Sequence, residues 1–90
     1  MFGSVWDALE NSSTEAANMR LRSDLMIAIR QEVAQWRTTQ AKAARRLDVT
    51  QPRLNDLLRG RINNFSLDAL TVLAARAGLD VQMRIGRAAA

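Results

Sequence analysis

Between Thr39 and Gly60 the chain specifies two short helices and a tight corner between them. No other feature constrains its fold as strongly. Thr39 and Thr50 stand at N-cap positions, where a side-chain oxygen accepts from a free amide of the helix's first turn. The spacing predicts one helix over Gln40 to Leu47, a turn at Asp48-Val49, and another helix over Gln51 to Arg59. Pro52 falls in the first turn of the latter, where a missing N–H is harmless, and Gly60 ends it. Ala43, Leu47, Val49, Leu54 and Leu57 supply the apolar side, and Ala44 is small where two helices cross closely. Val49 and Leu54 occupy the two positions of a hydrophobic staple, which sets the angle at which the second helix leaves the turn. This is the layout of a helix-turn-helix over residues 39–60, whose second helix can enter the major groove of DNA.

The flanking segments predict an all-α fold, a compact bundle of about four to five helices spanning residues 12–85. Residues 1–11 form an N-terminal arm with apolar Phe2, Val5, Trp6 and Leu9, either packed on its own domain or anchoring another protein. Ser12 and Glu15 make a capping box that starts a helix near Ser13 and carries it to about Trp36. Leu21, Leu25, Ala28, Ile29, Val33 and Trp36 share one helical stripe, and Ser23-Asp24 could restart the helix after a break. Ile27 falls on the far side, as a lone exposed residue or a subunit contact. After a loop, RINNF, Ser66 caps a fourth helix through Ala77, with Phe65 and Leu70 as a second staple and Gly78 as the stop. Val81, Met83 and Ile85 alternate with Gln82 and Arg84, the period of a half-buried strand over 81–85. A lone strand leaves its backbone groups unsatisfied. It must pair with residues 2–6 or with the same strand of a second subunit, and two-fold symmetry favours the homodimer through Val81, Met83 and Ile85. Residues 86–90 read as a frayed tail.

Ninety residues suit one domain, and a chain this short buries only ~60–65% of its unfolded surface, so a partner subunit would help. With no Cys and no His, disulfides, zinc fingers, thiol chemistry and histidine-based catalysis are removed together. The nine acidic residues are scattered, and Glu32, the one placed on an apolar face, is expected to pair with Arg22 or another Arg. The expectation is no enzyme, no catalytic residue, no metal and no cofactor. No run reaches the ~18 apolar residues of a membrane span, and no basic stretch precedes an apolar one at the start, so a cytoplasmic protein is the default reading.

Charge is distributed unevenly. Residues 37–61 hold seven Lys or Arg against Asp48 and Asp56, a balance of +5, whereas residues 1–36 hold three Arg against five acids. The positive charge therefore coincides with the motif, which points to double-stranded DNA as a partner. On the second helix of the motif, Leu54, Leu57 and Leu58 turn inward. Gln51, Arg53 and Asn55 are candidates for base contacts, because glutamine and asparagine can bond adenine and arginine can bond guanine in pairs, and Pro52 offers a surface to a thymine methyl. Asp56 reads as a restraint on Arg53 or Arg59. Phosphate contacts are expected from Thr39, Gln40 and Lys42 at the start of the first helix, from Thr50, and from Arg59, Arg61, Asn63 and Asn64. Arg45 and Arg46 could simply solvate the back of that helix.

Residues 39–60 resemble the lambda-repressor-like, Cro/Xre-type helix-turn-helix, with Gln40 opening one helix, Ala44 at the close contact, Val49 after the turn and Gln51 opening the recognition helix. Together RSDLMIAIRQ, TQAKAARRLDVTQPRLNDLLRGRINNFSLDAL and GLDVQMRI resemble HigA-like Xre antitoxins over about residues 15–85, and SVWDAL resembles their N-terminal arm. The resemblance implies a compact helical dimer that represses its own operon and binds a small ribonuclease toxin. It also implies two glutamines that hydrogen-bond each other, one held to phosphate and one aimed at a base. Asp48 departs from the pattern, which usually has Gly in the turn; Asp tolerates the left-handed conformation less well. A stand-alone regulator and a protein-interaction module are the competing readings. An exposed aromatic for stacking RNA bases is absent from the recognition face.

Overall fold

A computed structural model describes the backbone of residues 2–87 and side chains from Ser13 onward. Four α-helices follow in order: α1 (Phe2–Trp36), α2 (Gln40–Leu47), α3 (Gln51–Leu58) and α4 (Leu67–Arg76), with a short 3-10 turn over Ile62–Asn64 between the last two. The all-α class and the helix-turn-helix are as the sequence predicts. Each short helix starts at its own cap: Thr39 Oγ1 accepts from the Lys42 amide at 3.2 Å, Thr50 Oγ1 from the Arg53 amide at 3.2 Å, and Ser66 Oγ from the Ala69 amide at 3.0 Å. The corner between α2 and α3 is made by Asp48 in the left-handed conformation (φ 56°, ψ 47°), and the Val49 amide returns to the Ala44 carbonyl at 2.9 Å.

α1 departs from expectation at both ends. It begins at Phe2 rather than near Ser13 and runs unbroken through Ser23-Asp24. Once a helix has nucleated, adding residues costs little, and nothing from Phe2 to Asn11 forbids it: there is no proline, and Gly3 is the lone glycine. The side chains of Phe2, Val5, Trp6 and Leu9, and the Ser12 half of the capping box, lie outside the described residues. Ser13 to Ala17 are all exposed, so α1 reaches beyond the bundle. It ends at Arg37, whose φ of 47° turns the chain toward α2.

The core gathers Met26, Ile29 and Val33 of α1, Ala43, Ala44 and Leu47 of α2, Leu54 and Leu57 of α3, Phe65, and Leu70, Leu73, Ala74 and Ala77 of the last helix and its cap. The buried face of α1 is thus rotated from the predicted stripe. Met26 is inside, Leu25, Ala28 and Trp36 sit at the half-buried edge, and Leu21 is 52% exposed. Ala44 is 3% exposed at the α2–α3 crossing, as its size requires.

Residues 81–87 form no strand in the single chain. One pairing partner considered for it, residues 2–6, is helical. Among the described residues no backbone–backbone hydrogen bond reaches beyond Leu79, and Val81, Met83 and Ile85 are 47%, 83% and 84% exposed. A strand exists only as part of a ladder, and the described residues of one copy supply no second rung. Ala88 to Ala90, the end of the expected frayed tail, lie outside the described residues. Among those described, no helix is long and apolar enough to cross a membrane.

Candidate nucleic-acid interface

The capped N-terminus of α3 and the N-terminal half of α2 lie side by side, with Gln51 sharing a shallow groove with Ala41 and Ala44. Gln51 and Pro52 are exposed at the leading edge of α3, and Asn55, one turn on, is half-buried on the same helix. Among the described residues, neither the Gln51 nor the Asn55 side chain has a hydrogen-bond partner, so both amides can serve an incoming group. Thr39, Gln40, Lys42 and Thr50 are exposed beside them, the two threonine oxygens already engaged as caps. The bond between Gln40 and Gln51 implied by the family resemblance is not made among the described residues.

Arg53 is placed differently from its neighbours. Its guanidinium lies over the Phe65 ring, 3.9 Å from the centroid, and donates to the Asn64 carbonyl at 2.6 Å. To reach a base it would have to leave both. Asp56 is a restraint, but on Arg61 (3.2 Å) and the Asn64 amide (3.4 Å), not on Arg53 or Arg59. The reason is the 3-10 turn, which folds residues 61–64 back beside α3 and brings them closer than partners along the helix.

That loop is held from its other side as well. Arg22 of α1 donates to the Ile62 and Phe65 carbonyls at 3.2 and 3.4 Å and, through Nε, to Asn18 at 2.7 Å. Arg22 is therefore occupied with the loop and with Asn18, and no Glu32 partner appears among the described residues. Arg61, Asn63 and Asn64 thus sit on a loop braced by two arginines and an aspartate, and Arg59, Asn63 and Asn64 are exposed. Arg46 stacks on Trp36 at 3.9 Å, closing the rear of α2 and leaving Arg45 exposed. Among the described residues the Trp36 indole N–H is buried without a partner.

Sequence reasoning missed Arg22 as a loop brace and Arg76, whose Nη1 donates to the Leu47 carbonyl at 3.2 Å. Arg22 adjoins the apolar stripe and Arg76 ends a helix, signals that mark a half-covered cation without naming its partner. Of the candidate dimer residues in the C-terminal segment, Val81 and Met83 border a groove with Leu21 and Leu25 of α1 and Leu67 and Thr71 of α4, while Ile85 is not part of its lining.

Comparison with known proteins follows the same lines. A family model described as a helix-turn-helix domain matches residues 8–86. A solved structure named "Putative XRE Family Transcriptional Regulator" is similar at a TM-score of 0.75 and 30% identity, the match covering 84% of this chain and 91% of that one. No curated protein matches the chain.

Proposed function

The chain belongs to the helix-turn-helix domain family, and from that premise we propose that this DNA-binding transcriptional regulator is an Xre-type repressor that reads its operator through α3. The observation that carries the reading is the pair of unpartnered amides, Gln51 and Asn55, on a helix whose N-terminus is capped, solvent-facing and flanked by basic residues. Gln51 and Asn55 contact bases, with Pro52 against a thymine methyl. Arg53 joins them only by giving up Phe65 and Asn64; held there, it supports the loop. Thr39, Gln40, Lys42, Thr50, Arg59, Arg61, Asn63 and Asn64 contact phosphates and fix the register.

Two copies act together in this reading, joined by antiparallel pairing of residues 81–85. Supporting it are the alternation of exposed Val81, Met83 and Ile85 with polar residues and the lack of a ladder among the described residues of the single chain. The operator is then palindromic, with half-sites about 10 bp apart or a multiple of that. A role as the antitoxin of a small ribonuclease is supported by the likeness of residues 15–85 to HigA-like proteins. Co-purification with the product of the adjacent gene tests it, and a chain that represses without such a partner is the stand-alone alternative.

The central experiment selects bound duplexes from a random pool and measures the winner by gel shift at several salt concentrations. Gln51→Ala and Asn55→Ala are each expected to cost ~1–3 kcal/mol on the selected site and little on random duplex. Lys42→Ala should weaken both alike and lower the salt slope by about one. Equal losses on every sequence for all three variants would remove base reading by α3.

A further inference from the structure

Arg76 lies outside every contact proposed above, yet it touches the corner of the motif. It stands in the last turn of α4, its Nη1 donates to the Leu47 carbonyl at 3.2 Å, and its Nη2 lies 3.8 Å from the Asp48 carboxylate. Leu47 is the last residue of α2, where carbonyls have no partner inside the helix. Asp48 is the left-handed residue that redirects the chain, and Gln51 begins α3 three residues later. α4 packs chiefly on α1, so the guanidinium ties the corner to the most extensive helix pair of the bundle.

We propose that Arg76 is a positioning residue for the recognition helix. By anchoring the end of α2, it fixes the direction in which α3 leaves the turn, and so the reach of Gln51 and Asn55, without touching DNA. This inference rests on the reading of α3 as the helix that enters the major groove.

The hydrogen bond matters more than the ion pair. The pair is long and joins side chains 42% and 87% exposed, a setting in which surface pairs contribute little. The bond to Leu47 is charge-assisted and part-buried. Without it the corner retains the Val49-to-Ala44 and Asp48-to-Arg45 bonds, which are local, and only the non-directional apolar packing of the core holds the motif on α4. Only a forked cation reaches a carbonyl and a carboxylate on successive residues at once; lysine offers a single point charge. A plainer role is open to Arg76, that of a cation at the C-terminal, negative end of α4. Such a role is indifferent to Leu47 and would be served equally by lysine.

Arg76→Gln and Arg76→Lys separate the two. Each variant is titrated with the selected operator and with random duplex, and amide hydrogen exchange is recorded on the free protein. For Arg76→Gln, operator affinity should fall about fivefold. For Arg76→Lys it should fall about threefold with the salt slope unchanged, because the charge is kept. In both, the ratio of operator to random affinity drops. Exchange at the Val49 and Leu54 amides should quicken while that at Leu70 and Leu73 stays as in the parent chain. Parental exchange and a parental affinity ratio in both variants would overturn the proposal. So would equal loss on operator and random duplex with exchange unchanged, which would make Arg76 a phosphate contact. Should the parent chain select no operator, the reading of α3 fails, and the exchange comparison still decides whether the anchor exists.

Discussion

Asp48 shows how one residue sets the geometry of the motif. Its φ of 56° lies where side chains other than glycine are disfavoured, yet the corner between α2 and α3 requires that conformation. Aspartate tolerates it better than most residues, and the weak pair with Arg76 offsets part of the cost. Asp48→Gly should therefore stabilise the fold by ~0.5–1 kcal/mol, raising the melting temperature by roughly 2–8 °C. Operator binding should persist, because the Arg76 bond to Leu47 uses a backbone carbonyl that the substitution leaves in place. A lower melting temperature would show that the aspartate contributes more to the turn than its conformation costs. Arg53 teaches a related lesson. It has the right chemistry for guanine, but Phe65 and the Asn64 carbonyl hold it against the loop.

At the scale of the element, the α2–α3 crossing depends on small side chains as much as on large ones. Ala44 is 3% exposed where the helices approach, with Leu47, Leu54 and Leu57 filling the space around it. Ala44→Leu adds volume to a packed site and should cost ~1–3 kcal/mol, read as a lower urea midpoint with an unchanged slope. A domain of this size has only ~5–15 kcal/mol in total, so the loss would be plain in a melt. A midpoint equal to that of the parent would mean that the crossing is looser than the structure places it. The loop after α3 is an element of its own. Arg22, Arg53 and Asp56 converge on it from two helices, so the phosphate-contacting residues proposed there start from an ordered position.

At the scale of the molecule, the bundle leaves apolar surface uncovered at the C-terminal segment. Met83 and Ile85 are more than four-fifths exposed, and a side chain so placed gains nothing from the hydrophobic effect in a single copy. Pairing two copies through residues 81–85 would cover that surface and complete a ladder. Met83→Asp sets like charges near each other across the two-fold axis, and should shift a dimer to monomer in sedimentation at micromolar concentration. The same variant should lose the advantage of a palindrome over a single half-site. A parent chain that sediments as a monomer at that concentration would argue against the strand interface.

Much of the fold was legible in the chain itself because the signals are local. Thr39, Thr50 and Ser66 each cap an amide three residues away, Gly60 and Gly78 turn left-handed where helices stop (φ 72° and 84°), and the apolar period of α2 to α4 needs no distant information. The candidate reading face was legible for the same reason, since Gln51 and Asn55 follow from the position of the cap. The sequence also placed the start of α1 too late, because a capping box marks where a helix can begin and does not prevent residues before it from joining. What only the tertiary structure decided is the destination of the long cations. Arg22 bonds carbonyls 40 and 43 residues away, Arg53 bonds one 11 away, and Arg76 one 29 away. A guanidinium on a flexible stem takes whichever acceptor the packing brings within reach, and that set is fixed only when the helices have met.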